Sequence, residues 1–167
     1  SNSISDTSAN LATLDAINTS EVTMANATVN VTDQVTKTQA DAINSYTTGQ
    51  VTLNSISDTS ANLATLDAID NAEVTIGTAE VNVLDTVTLA NANTINAYTT
   101  GQVTLTSISD TFANITSIHL LPTSEVTMAD ATVNVTDQVT KTQADAINSY
   151  TTGQVTLTSI ADTLNRS

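Results

Sequence analysis

Polar and apolar residues along this chain follow two different periods, which take turns. In Glu21-Val22-Thr23-Met24, Thr28-Val29-Asn30-Val31-Thr32 and Gln50-Val51-Thr52-Leu53 they alternate at every second position, the pattern of a strand with one buried face. Between these stretches the spacing lengthens. Leu11, Leu14 and Ile17 fall three apart, and Val35, Gln39, Ala42, Ile43 and Tyr46 follow three-and-four spacing, which predicts two short helices with an apolar stripe. Asp6 and Asp33 open these helical stretches and are expected to be N-caps, their carboxylates accepting the first free N–H groups. Thr47-Thr48-Gly49 leads into the next strand, and Gly49, Gly101 and Gly153 are expected to end helices with a positive φ.

The same text then recurs. Ser3-Ile4-Ser5-Asp6-Thr7 returns at Ser55, at Ser107 and, as Ser159-Ile160-Ala161-Asp162-Thr163, at Ser159, a period of 52 residues. The chain 1–167 therefore reads as a single repeat array, with units 3–54, 55–106 and 107–158 and a stub 159–167. Residues 20–53 and 124–157 differ only at Asn26 against Asp130. Aspartates 27 and 25 residues apart (Asp6, Asp33, Asp58) split each unit into two related halves, each the size of one helix-containing coil. The expected fold class is α/β: an αβ-solenoid of about six helix–strand coils, its parallel strands joined by right-handed helical crossovers. A helix is wider than a strand, so the array should curve with its helices outside. Neither helix is long enough to persist alone, and stacking must supply the shared apolar faces.

With every half in register, Thr23, Thr52, Thr75, Thr104, Thr127 and Thr156 would form one ladder. Beside it Glu21, Gln50, Glu73, Gln102, Glu125 and Gln154 would alternate charge with amide, keeping like charges off adjacent strands.

Charge narrows the partners. Seventeen acidic residues face only Lys37, Lys141 and Arg166, for a net charge of −14. Such a surface repels nucleic acid and anionic lipid. There is no cysteine, so no disulfide, thiolate metal site or cysteine nucleophile. No apolar run reaches the roughly 20 residues of a membrane-spanning helix, and no signal peptide opens the chain. It begins and ends partway through its own repeat and is expected to be an excerpt of a longer protein.

No catalytic, cofactor-binding or metal-binding residue is assigned, and the chain is not read as an enzyme. The recurrent Asp6, Asp58, Asp110 and Asp162, with Asp33, Asp85 and Asp137, offer one carboxylate per joint. That suits helix capping better than calcium held between coils, which needs several converging oxygens. No cofactor is expected, calcium being the weak exception. Regular threonine rows invite analogy with ice-binding surfaces, but the next outward positions, Ala25, Asn54, Gly77, Thr106, Ala129 and Thr158, are irregular. His119, the only histidine, stands where the other units have Asp15 and Asp67, as a drifting surface position. Tyr46, Tyr98 and Tyr150 read as a core edge with hydroxyls in water rather than a sugar-stacking ladder. Phe112 replaces Ser8 and Ser60, and Leu120-Leu121-Pro122 is a local variant of the helix end.

The segment Ser-Ile-Ser-Asp-Thr-Ser-Ala-Asn-Leu, an apolar helix and then Glu-Val-Thr-Met, resembles a tandem repeat of very large secreted bacterial surface proteins, frequent in cyanobacteria and in marine or soil proteobacteria. The resemblance covers all three units. It implies a structural αβ-solenoid stalk in an extracellular or cell-surface, adhesin-like protein, and it carries over no catalytic residue. The partners implied are flanking repeats or domains of the parent, with end-to-end self-association through uncapped edges as a further possibility; nucleic acid and membrane insertion are not expected. The alternative is a repetitive surface that binds ice or glycan.

Overall fold

The computed structural model describes residues 2–162; Thr163 and Arg166 of the stub lie outside the described residues. The fold is α/β, with six helices and one nine-stranded parallel sheet. In chain order the elements are β1 (Ser3–Asp6), α1 (Ser8–Asp15), β2 (Thr28–Val35), α2 (Lys37–Tyr46), β3 (Val51–Asp58), α3 (Ser60–Asp67), β4 (Val74–Thr75), β5 (Glu80–Val87), α4 (Leu89–Asn96), β6 (Val103–Asp110), α5 (Phe112–His119), β7 (Val126–Thr127), β8 (Thr132–Val139), α6 (Lys141–Tyr150) and β9 (Val155–Ile160). Strand order follows chain order, β1-β2-β3-β5-β6-β8-β9, with β4 on β3 and β7 on β6. Each main strand thus lies beside the next one, and a helix crosses over between them.

Alternation decides the faces. Val29, Val31, Val35, Val51, Leu53 and Ile56 are buried, while Asn30, Thr52 and Ser55 between them are not. The buried set packs with Leu11, Ile43, Leu63, Ile95, Ile115 and Ile147 of the helices in one continuous core. Only one sheet face carries helices, so the other is open and polar. Of the first-helix stripe, Leu11 is buried as expected, like its counterparts Leu63 and Ile115, but Leu14 is only half-buried and Ile17 lies beyond α1, which ends at Asp15. The second is shifted: Ala40 and Ile43 are buried, Gln39 and Ala42 face outward, and Val35 belongs to β2. Gln39 is instead the reciprocal partner of Thr36 in a capping box, a local bond that outranks its place in the stripe.

The sheet is staggered. Val29 pairs with Val51, and Val51 with Val74. Val74 is the counterpart of Val22 in the preceding unit, not of Val29. Likewise Val35 pairs with Ile56, whereas the partner of Ile56 beyond it is Val81, the counterpart of Val29. A rung therefore slips back through the unit as it crosses the sheet. Stagger and curvature are linked in parallel sheets, and this sheet curls into a half-barrel. Neighbouring strands pair residues 25 apart (Ser5 with Asn30) or 22 apart (Val29 with Val51), so the aspartate spacings of 27 and 25 are not the rung spacing. A register shift between Val31 and Gln34, repeated at Val83/Thr86 and Val135/Gln138, lowers the second offset further, to 21 (Val35 with Ile56). Asp33 sits on that bulge.

The stagger removes the expected threonine ladder. Thr52 does pair with Thr75 and Thr104 with Thr127, but the other neighbours of Thr52 and Thr104 are Asn30 and Asn82. Thr23 is not in a strand, and Glu21–Met24 forms none, whereas its counterparts give the two-residue β4 and β7. Val74 and Val126 are buried because β3 and β6 pair with them, while Val22, with no such strand beside it among the described residues, is 41% exposed. The charge–amide row survives in part: Val81 donates to the carbonyl of Gln102, and Val103 to that of Glu125. Gln102 thus still separates Glu125 from the β5 side of the sheet.

Candidate functional site

The repeated joints between strand and helix carry the densest polar chemistry. The N-caps are threonines, not the aspartates expected: Thr7, Thr59 and Thr111, and Thr36, Thr88 and Thr140, each accept the backbone N–H three residues on. The aspartates do something less local. Asp33 on β2 accepts both the N–H and the hydroxyl of Ser8, at 2.8 and 2.7 Å. Asp58 accepts the N–H of Lys37 at 2.8 Å. Asp85 accepts the N–H and hydroxyl of Ser60 at 2.8 and 2.6 Å, Asp110 the N–H of Leu89 at 2.8 Å, and Asp137 the N–H of Phe112 at 2.8 Å. Asp162 reaches the N–H of Lys141 at 3.3 Å. In every case the carboxylate comes from later in the chain than the helix it serves: Asp33, Asp58, Asp85, Asp110 and Asp137 lie on β2, β3, β5, β6 and β8, and Asp162 just past β9. Threonine satisfies the third N–H and aspartate the first, and the negative charge sits at the positive end of the helix dipole.

Asp6, Asp58 and Asp110 also bind their own helices, through the next residue's N–H and the side-chain amides of Asn10, Asn62 and Asn114 at 2.7–2.8 Å. Asp58 and Asp110 therefore tie two helix starts together. Burial by itself would raise their pKa, but the N–H and amide donors outweigh it and hold both carboxyls below the usual value. Asp33 is lowered the same way, its burial opposed by Ser8. Phe112 has no hydroxyl, so Asp137 keeps the backbone bond and lacks the second one; the ring packs half-buried against the core.

The three recurrent glycines were expected at positive φ, and no described glycine has one. Their reason is close approach. A Cβ on Gly49, Gly101 or Gly153 would run into the carbonyl of Ala27, Ala79 or Ala131. That approach is pinned by Thr47, Thr99 and Thr151, all buried, whose hydroxyls donate to the same alanine carbonyls at 2.5 Å and accept the glycine N–H groups at 2.9–3.0 Å. Sequence reasoning passed over these threonines; their buried partners lie 20 residues away.

On the open face of the sheet, Asn30, Asn82 and Asn134 donate to the hydroxyls of Ser5, Ser57 and Ser109 at 3.0–3.1 Å. Where the bulge frees the carbonyls of Val31, Val83 and Val135, the side chains of Asn54, Thr106 and Thr158 donate to them. The irregular row of outward positions is thus partly explained. Two grooves cross this face at equivalent places: one of about 440 Å³ by Ser107, Asn134 and Thr156, the other of about 80 Å³ by Ser55, Asn82 and Thr104.

The remaining candidates stand apart. The His119 ring stacks on Tyr150, with centroids 3.9 Å apart and an interplanar angle of 11°, and the Tyr150 hydroxyl lies 3.3 Å from that of Thr116. Tyr46, Tyr98 and Tyr150 are half-buried against the core. Burial, with Asp67 nearby, pushes the Tyr98 phenol up. No described group of three or more His, Cys, Asp or Glu residues converges as a metal site, and no described helix is long and apolar enough to cross a membrane. No protein-family model matches the sequence, and no curated protein or solved structure matches it either.

Proposed function

We propose that the chain is a structural segment, an αβ-solenoid of about six coils that acts as a spacer or scaffold within a large extracellular, adhesin-like bacterial surface protein. One observation carries this reading: the aspartate that completes the start of each helix is supplied by the following coil, from β2, β3, β5, β6 and β8 at the first five helices and from just past β9 at the sixth. Each coil is thus finished by its successor. That is the chemistry of an array whose units stabilise one another rather than of a domain built around one site. Near-identity of residues 20–53 and 124–157 supports it, since a single active site would need only one copy of its residues. The surface setting rests on the resemblance of the Ser-Ile-Ser-Asp-Thr-Ser-Ala-Asn-Leu text and on the uncompensated acidity.

The test is a length series. Chains with residues 55–106 deleted, present or duplicated are unfolded in urea. Stability and its denaturant slope should both rise by a constant increment per unit, and small-angle scattering should show the longest dimension growing with each one. A stability that ignores unit number would reject the reading.

A further inference from the structure

We propose that Asn18 is an acceptor site for an N-linked sugar, modified on the folded chain. Acceptor competence goes beyond the spacer reading and does not depend on it; use of the site in the living cell rests on the surface setting given with that reading.

Five described asparagines stand in the text Asn-x-Ser/Thr: Asn18, Asn26, Asn30, Asn114 and Asn134. The motif joins an amide nitrogen that can be glycosylated to a hydroxyl two residues on. Geometry chooses among the five. Asn30 and Asn134 lie in β2 and β8 and spend their Nδ2 groups on the hydroxyls of Ser5 and Ser109. Asn114 spends its own on Asp110 at the start of α5. Asn26 is exposed, but Thr28 begins β2 and its hydroxyl goes to the Asn2 carbonyl, as that of its counterpart Thr132 goes to the Thr106 carbonyl.

Asn18 differs on each count. Asn18, Thr19 and Ser20 are all exposed, in the turn after α1. The Asn18 Oδ1 accepts both the N–H and the hydroxyl of Ser20, each at 3.0 Å, and its Nδ2 has no partner among the described residues. In the transfer, Nδ2 forms a bond to C1 of the sugar while the C1–O bond to a diphosphate-linked donor breaks. The diphosphate leaves with the bonding pair, and the amide proton passes to the transferase's base. Two donors on Oδ1 stabilise the negative charge that gathers there as Nδ2 gives up its proton. The motif hydroxyl is thus already on the reacting amide, and the nitrogen is open.

This arrangement does not depend on where the chain starts. Asp70 is the counterpart of Asn18 in the second unit, where β3 lies beside the turn. One Asp70 carboxylate oxygen accepts the Ala72 N–H at 2.9 Å, and the other has no partner among the described residues. The Asp70 carbonyl accepts the N–H groups of Glu73 and Val74, as that of Asn18 accepts those of Glu21 and Val22. Residues 70–73 stay exposed. The neighbouring strand region takes up the carbonyls of Asn71 and Glu73, through Gln50 and Val51, and leaves the side chain at position 70 alone.

The experiment treats the folded protein with a soluble asparagine N-glycosyltransferase and UDP-glucose, using an enzyme first shown to modify synthetic peptides that span the five sequons. Intact mass and peptide mapping should show one hexose on the folded chain, at Asn18, although several of the peptides are substrates. Ser20→Ala should slow the transfer by about tenfold or more, the scale of one hydrogen bond lost from developing charge, and Ser20→Thr should keep it. Both variants change an exposed side chain, and their urea midpoints should match the parent's. Asp70→Asn/Ala72→Ser writes the same motif into the internal turn and should add a second hexose, at position 70. The proposal is overturned if the folded chain is not modified, if its hexose sits on another asparagine, if Ser20→Ala reacts as fast as the parent, or if the Asp70→Asn/Ala72→Ser chain gains no second hexose. Any of these results leaves the length series, and with it the spacer reading, untouched.

Discussion

The carboxylate of Asp58 joins two helices: it accepts the N–H of Lys37, the first residue of α2, at 2.8 Å, while also holding Thr59 N–H and the Asn62 amide at the start of α3, at 2.8 and 2.7 Å. One side chain thus completes two helix starts. Asp58→Ala should destabilise the fold by about 2–4 kcal/mol, since it strands donors of two helices, and charged hydrogen bonds are worth about 1.5–3 kcal/mol each. Asp110→Ala should cost a similar amount, as Asp110 serves Leu89, Thr111 and Asn114 in the same way. Asp6→Ala should cost clearly less, because Asp6 serves only α1. Urea unfolding of the three variants checks the order. Equal losses at Asp6 and Asp58 would mean that the bond between helices contributes nothing.

The same carboxylates set an acid limit. Their folded pKa values lie below the ordinary carboxylate value of 3.8, so the unfolded chain binds protons more readily than the folded one. The stability they add is fully present above about pH 4–5, and is lost as pH falls from there through the lowered folded values. General repulsion among the acids works the other way, because protonation relieves it. The difference between the parent and Asp58→Asn/Asp110→Asn isolates the linkage: the urea midpoint of the parent should fall more steeply below about pH 4 than that of the variant. Parallel curves would show that these two groups do not titrate with unfolding.

How much of this was legible in the sequence differs by element. The period, the order of helix and strand and the buried valines rest on spacing alone, and Leu11, Leu63, Val29 and Val81 lie where spacing puts them. The caps were misread because Asp6 and Thr7 are adjacent and both residue types cap well. What separates them is the partner of the aspartate on another strand, such as Asp33 for Ser8. The threonine ladder failed for a related reason. Stagger between strands arises from packing across the sheet, and the pattern within one strand does not encode it.

Glycine substitutions separate close approach from backbone conformation. Gly101→Ala places a Cβ against the Ala79 carbonyl, a backbone atom that Thr99 holds in place at 2.5 Å. It should cost about 3 kcal/mol or more, at the upper end of overpacking. Gly77→Ala meets nothing nearer than the Thr75 hydroxyl at 3.7 Å, and the other units carry Ala25 and Ala129 there. With an ordinary φ, it should stabilise by about 0.4–1 kcal/mol by restricting the unfolded chain. Thermal melts of both variants decide this; loss at both positions would point to a conformational need for glycine instead.

The bulge gives the last prediction. The Thr106 hydroxyl donates to the Val83 carbonyl at 2.6 Å, where the register shift between Val83 and Thr86 interrupts the ladder with β6. Thr106→Val keeps the shape and removes the donor, leaving a half-buried carbonyl short of its partner at a cost of about 1–3 kcal/mol. Thr106→Asn should recover most of that loss, because Asn54 makes the equivalent bond to Val31 at 2.6 Å. Hydrogen exchange on β5 and β6 offers a second readout: faster exchange near residues 83–86 in Thr106→Val, restored in Thr106→Asn, is the expected pattern. Two variants of equal stability would show that water replaces the hydroxyl without loss, and that the outward row at Asn54, Thr106 and Thr158 is free to drift.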